Sequence, residues 1–255
     1  MLGTILMPHL SLRILLLTLF PQFSLWLWQS ARFDCIATRE INVARAIEAS
    51  GGQVEFRYTG PTWIPRYVRP HLPRLNRVQY VCLRNARTSH DLLLQLGDLT
   101  YLEDLDVTGT DFADEHCEKI SSLTHLKGLG LGATRVTDAG LQALSNIPRI
   151  TSISVWDTDV SDSGIVNIVR HHLALETLSL SGTRVSDIGV HELQTLKQLR
   201  FVLLDDTGIT DLCVQSLGEL TSLEELWVSN TNLSPHGAEQ LRALLPRCMV
   251  IDENK

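Results

Sequence analysis

Residues 126–160 read LKGLGLGATRVTDAGLQALSNIPRITSISVWDTDV, and the spacing Leu126, Leu129, Leu131, Thr134, Val136 returns 24 residues later as Ile150, Ile153, Val155, Thr158, Val160. Apolar residues at alternate positions, followed by Thr-x-Val, describe a short strand and the turn leaving it. The half that follows, Thr137-Asp138-Ala139-Gly140-Leu141, opens a helix. Its threonine hydroxyl suits an N-cap, and its aspartate suits the positive end of the helix dipole.

Working outward, the same pattern begins at Leu102, Leu175, Leu199 and Leu223, with a degenerate copy at Val78-Val81-Leu83-Ala86-Thr88. The seven starts, 78, 102, 126, 150, 175, 199 and 223, are 24 residues apart except where His171-His172 lengthens one unit to 25. Such units bury their apolar faces only by stacking on one another. The expected fold is an α/β leucine-rich-repeat solenoid: a curved parallel sheet inside, short helices outside, about seven repeats and an N-terminal cap.

The helical halves repeat as Ser161-Asp162-Ser163-Gly164, Ser186-Asp187-Ile188-Gly189 and Ser234-Pro235-His236-Gly237. Pro235 suits a first helical position. Glycine at the third helical position costs about 1 kcal/mol against alanine, so its recurrence implies close packing between neighbouring helices. Thr110, Thr134, Thr158, Thr183, Thr207 and Thr231 stand where each strand is left, and their hydroxyls are expected to bond backbone groups between turns. Two units depart from the pattern: His116 takes the glycine slot of unit two with Cys117 in the apolar slot, and Cys213 takes the glycine slot of unit six.

The stretch GATRVTDAGLQAL (132–144), with its echoes SGTRVSDIGV (181–190) and DDTGITD (205–211), resembles bacterial leucine-rich-repeat proteins of the type abundant in planctomycetes. ARAIEASGGQVEFRY (44–58) resembles their membrane-proximal segment, and LPRCMVIDE (245–253) their closing turn. The resemblance implies an anchored or exported binding scaffold without enzymatic activity and with no catalytic residues to transfer. Read by themselves, Ile41, Ala44 and Ile47 form a short helix stopped by Gly51-Gly52, and Val54, Phe56 and Tyr58 alternate as a strand. Residues 63–75 contain Pro65, Pro70 and Pro73 and form a winding connection.

Residues 14–28, ILLLTLFPQFSLWLW, carry no charge, lie between Arg13 and Arg32, and place Trp26 and Trp28 where an interface suits them. The run is shorter than the ~20 residues of an ordinary span, though Arg13 can snorkel. One reading is a single-pass anchor and the other a cleaved signal peptide, which would leave a secreted or periplasmic protein. Arg32, Arg39 and Arg45 beyond the run outnumber Arg13 and favour a cytoplasmic body, whereas a signal-like start favours export. The chain thus divides into an anchor or signal segment (1–32), a cap and proline-rich connection (33–75) and the repeats (76–255).

The formal charge of -7 is split. Residues 1–75 carry eight arginines against four acids (+4), while residues 76–255 carry 14 basic against 25 acidic residues (-11), which argues against nucleic acid. Cys35, Cys82, Cys117, Cys213 and Cys248 form no C-x-x-C pair. Asp104 to Glu115 mimics calcium-loop spacing, but Leu105, Val107 and Phe112 belong to the repeat. His171-His172 has no partner ligand at metal spacing and reads as a solvated loop. Leu233 in Asn232-Leu233-Ser234 should point into the core. No nucleophile elbow or phosphate loop occurs. Neither cofactor nor metal is expected, and the role expected is binding of a protein or peptide by a monomer. An enzyme or adaptor subunit completed by another chain is the reading from a different class.

The residues between the inward leucines point to the concave face with period two. Their columns are Asp104, Gly128, Ser152, Thr177, Phe201, Glu225; then Asp106, Gly130, Ser154, Ser179, Leu203, Trp227; then Thr108, Gly132, Trp156, Ser181, Asp205, Ser229. Most are small or polar. Trp156, Phe201, Leu203 and Trp227 break the flat floor and, with Asp205 and Glu225, form the candidate partner site. The bland alternative is that Phe201 and Trp227 merely cover each other.

Overall fold

The structure is a computed structural model that describes residues 36–60, 62, 66 and 75–253. Residues 14–28 and most of 63–75 lie outside the described residues. Among the described residues, no helix is long and apolar enough to cross a membrane.

A helix over 36–49 (α1) is followed by β1 (Gln53–Tyr58), which pairs antiparallel with β2 (Asn76–Cys82). From β2 onward every pairing is parallel, through β3 (Asp104–Asp106), β4 (Gly128–Gly130), β5 (Ser152–Ser154), β6 (Thr177–Ser179), β7 (Phe201–Leu203), β8 (Glu225–Trp227) and β9 (Met249–Ile251). The strand order is the chain order, as a one-dimensional stack requires. The intervening helices are α2 (His90–Gln95), α3 (Asp114–Ile120), α4 (Asp138–Ala143), α5 (Asp162–His171), α6 (Asp187–Leu193), α7 (Val214–Gly218) and α8 (Pro235–Leu244).

One continuous core runs the length of the stack. Leu105, Leu129, Ile153, Leu178, Val202 and Leu226 are all buried and lie directly opposite one another across the sheet. Val43, Ala44 and Ile47 of α1 are buried in the same core, whereas Ile41 is half-buried. Glu40 and Arg77 are buried there too, and burial pushes the Glu40 carboxyl up against the opposing pull of Arg77.

The threonines act within their own turn rather than between turns. Each hydroxyl donates to the carbonyl three residues earlier, Thr110 to Val107 at 2.6 Å, Thr158 to Val155 at 2.5 Å and Thr207 to Leu204 at 2.6 Å. The residue just before each threonine, Gly109, Ala133, Asp157, Gly182, Asp206 and Asn230, sits in the left-handed region, as does Asn85 (φ 56) before Ala86 in the first, degenerate unit. Asn, Asp and Gly tolerate that conformation; Ala133 (φ 50) is the residue that carries strain.

The aspartates do more than face a helix dipole. Asp138 accepts the Ser161 N–H at 2.8 Å and the Ser161 hydroxyl at 2.6 Å, so its carboxylate bolts one unit to the cap of the next. Asp114 to Thr137, Asp162 to Ser186, Asp187 to Thr210 and Asp211 to Ser234 repeat the bond pair. The recurrent glycine follows from this, because a Cβ at Gly164 would stand 2.5 Å from Asp138 Oδ1. Where Cys213 replaces that glycine, the helix start tightens into a 3-10 turn over Asp211–Cys213. Burial pushes the Cys213 thiol up to about 12.

Candidate functional site

The register sets the concave columns side by side as the sequence implies. Asp104, Gly128, Ser152, Thr177, Phe201, Glu225 and Met249 form one row. Asp106, Gly130, Ser154, Ser179, Leu203, Trp227 and Ile251 form the next. The middle of the floor is low: the space over Gly130 is taken by the Asp106 carboxylate, 2.9 Å from where a Cβ would stand. Trp156 folds its indole over Gly132 and so stays apart from the other aromatics.

Phe201, Leu203 and Trp227 meet on β7 and β8, and the site continues onto β9, where Met249 is 62% exposed. The sequence reading stopped at β8 and missed Met249. Its place two residues before Ile251, in a closing turn that mimics another strand, was the available signal. The three predicted apolar residues are half-buried. The Phe201 ring carries the Arg200 guanidinium 5.2 Å from its centroid, and Arg200 is itself tied to Glu224 at 2.8 Å.

The acids are of two kinds. Burial opposes ionisation of Asp106, but bonds from Thr108 and Arg84 outweigh it and hold the carboxyl below its ordinary range. Arg84 reaches Asp106 at 2.6 Å. Asp104 carries no such bond, and burial followed by the nearby Glu103 pushes its carboxyl up. Asp205 accepts the Ser229 N–H at 2.8 Å and, loosely, the Ser181 hydroxyl at 3.4 Å. Glu225 accepts a long bond from the Trp227 indole at 3.4 Å.

Away from the concave face, His90, Glu115 and His116 gather at the joint of units one and two. His90 Nδ1 lies 3.0 Å from His116 Nε2 and 3.4 Å from Glu115 Oε1. The spacing is that of metal ligands, but the proton inventory is not. His116 Nδ1 accepts the Ala113 N–H at 2.9 Å, so the neutral ring carries its proton on Nε2 and donates it to His90. A metal-bound histidine has the opposite polarity, its far nitrogen donating outward. The donor set does not fit a metal. His171-His172 is also not the solvated loop expected, since α5 runs through His171 and His172 caps it while buried. Burial, then the neighbouring His171, brings the His172 imidazole down to about 4.

No family model and no curated protein matches the chain. Solved structures do. Internalin C2 of Listeria monocytogenes aligns over 82% of this chain and 92% of that chain at 18% identity, with a TM-score of 0.54. The fold is a leucine-rich-repeat solenoid. A further L. monocytogenes internalin, inlF, aligns over 64% of this chain and 51% of that one at 19% identity and a TM-score of 0.45. A leucine-rich-repeat protein of Leptospira interrogans aligns over 62% and 50% at 19% identity and a TM-score of 0.41. The chain thus spans about half the length of these two proteins. The solenoid's structural neighbours are bacterial leucine-rich-repeat proteins, and at such identity the likeness speaks to fold alone.

Proposed function

We propose that the chain is a non-enzymatic scaffold whose concave sheet binds a protein or peptide, with residues 14–28 holding it at a membrane. The observation that carries the binding reading is the unpaired apolar patch of Phe201, Leu203 and Trp227 on an otherwise small-residue floor. Aromatic side chains held by a rigid sheet have little entropy left to lose on binding, which makes them good anchors. The concave carboxylates that are bonded accept from backbone N–H groups, hydroxyls and Arg84, an arrangement that stabilises turns and holds no nucleophile with its base.

The test is capture of the native partner by the full chain and by the double variant Phe201→Ala, Trp227→Ala. Capture should be lost while the melting temperature changes little, because both rings lie outside the inward core rows. Capture that survives moves the site off this face. In the same preparation, the full chain should stay with membranes through an alkaline-carbonate wash, and a chain starting at Phe33 should not.

A further inference from the structure

The patch on β7–β9 encloses a carboxylate. Glu225 lies between Phe201 and Met249 along its row, and Trp227 follows it by two residues on the same strand. Asp205 stands just past Leu203 at the edge of the patch, held by the Ser229 N–H. Neither acid is in an ion pair among the described residues. Of the other carboxylates on the two strand rows, Asp104 is in no ion pair among the described residues and Asp106 is held by Arg84, while the Arg200 guanidinium over the Phe201 ring is itself paired with Glu224 and Glu176. An anion set among apolar side chains feels an approaching cation through a lower effective dielectric than one in open water, so charge and apolar surface reinforce each other there.

We infer that this patch takes a cationic, apolar segment of a partner protein, in which a lysine or arginine answers Glu225 and Asp205 while a neighbouring bulky side chain packs on Phe201, Leu203, Trp227 and Met249. The inference rests on the binding reading above and names the chemistry of its ligand. An acidic segment would meet two like charges before reaching the apolar surface, and a purely apolar one would bury the Glu225 carboxylate with no cation and only the long Trp227 indole bond.

The probes are three synthetic peptides of about twelve residues, alternating phenylalanine and leucine with lysine, glutamate or serine, titrated against the full chain. The lysine peptide should bind at least tenfold tighter than the serine peptide, and the glutamate peptide should not bind. Because the repeats are acidic overall, a lysine peptide is attracted to any face, so two charge-matched variants separate the site from the field. Asp205→Asn with Glu225→Gln should weaken the lysine peptide at least fivefold. Glu118→Gln with Glu239→Gln, which removes the same charge from exposed positions on the helices, should leave it within twofold. Equal losses in the two variants, equal affinity for lysine and serine peptides, or no binding of any peptide would each overturn the inference. If Phe201→Ala with Trp227→Ala still abolishes capture of the native partner while any of those results holds, the concave reading stands and the cationic chemistry alone is wrong.

Discussion

The joint between units three and four and the joint between units one and two solve one problem with different chemistry. In the former, the Asp138 carboxylate accepts both polar hydrogens of the Ser161 cap, and Gly164 leaves the oxygen room. In the latter, all three slots change together: His90 stands for the aspartate, Ala113 for the hydroxyl cap and His116 for the glycine. His116 turns back to accept the cap N–H that the missing carboxylate would have taken, and its other nitrogen bonds His90. The hydrogen bonds are satisfied in both. One joint is held by a carboxylate and the other by an imidazole pair in which burial lowers the His116 pKa.

The core beneath is common to both joints, so truncating it should have the largest effect and should not distinguish them. Leu129→Ala and Leu178→Ala should each cost about 2–5 kcal/mol in chemical denaturation, as buried leucines near the middle of the stack. A loss below about 1 kcal/mol for both would contradict the register.

Acid should separate the histidine-dependent parts from the rest. His172 titrates at about 4 when folded, below the ordinary value near 6.5, so the unfolded chain takes the proton first. Its contribution of about 3 kcal/mol is present above pH ~6.5 and is lost as pH falls toward ~4. Burial, with His90 adding to it, lowers His116 in the same direction. Denaturation between pH 7 and 4.5 should therefore show falling stability. Hydrogen exchange should show amides around 89–116 opening before those around 187–217, which lie outside the unit that holds His172. Replacing the first joint by His90→Asp, Ala113→Ser and His116→Gly should abolish that local early opening while leaving the His172 share intact.

Asp162→Ala should cost about 2 kcal/mol, since it orphans the Ser186 N–H and hydroxyl at one joint. His90→Ala should cost less than half of that, because the Ala113 N–H keeps its His116 acceptor. Equal losses in thermal melts would erase the distinction between the joints. The smallest expected change is a gain: Ala133→Gly relieves a left-handed alanine and should stabilise by under about 1 kcal/mol.

Much of this was legible in the repeat period, which places Leu129 inward and Gly128 and Gly130 outward and makes the concave rows readable before any coordinates. The role of Asp138 was not legible, because a local explanation at its own helix end was already sufficient and its partner lies 23 residues on. The His116 slot was visible as a departure, but its pairing with His90 spans 26 residues and needed the stacked helices. His172 was misread because an added residue suggests a loop, whereas here it extends a helix by part of a turn and tucks the cap inward. The anchor segment lies outside the described residues.

The bonds between units run one way, from the acid of one unit to the hydroxyl cap of the next. That gives the array a grammar for duplication. A copied unit of the Ser-Asp type offers a hydroxyl donor to the unit before it and a carboxylate acceptor to the unit after it, so it joins either neighbour without further change. The second unit breaks this rule at its front, because Ala113 has no hydroxyl to offer an incoming aspartate and His116 needs His90 behind it. Recombination can therefore lengthen the solenoid anywhere from Asp114 onward, while the first two units must travel as a matched pair.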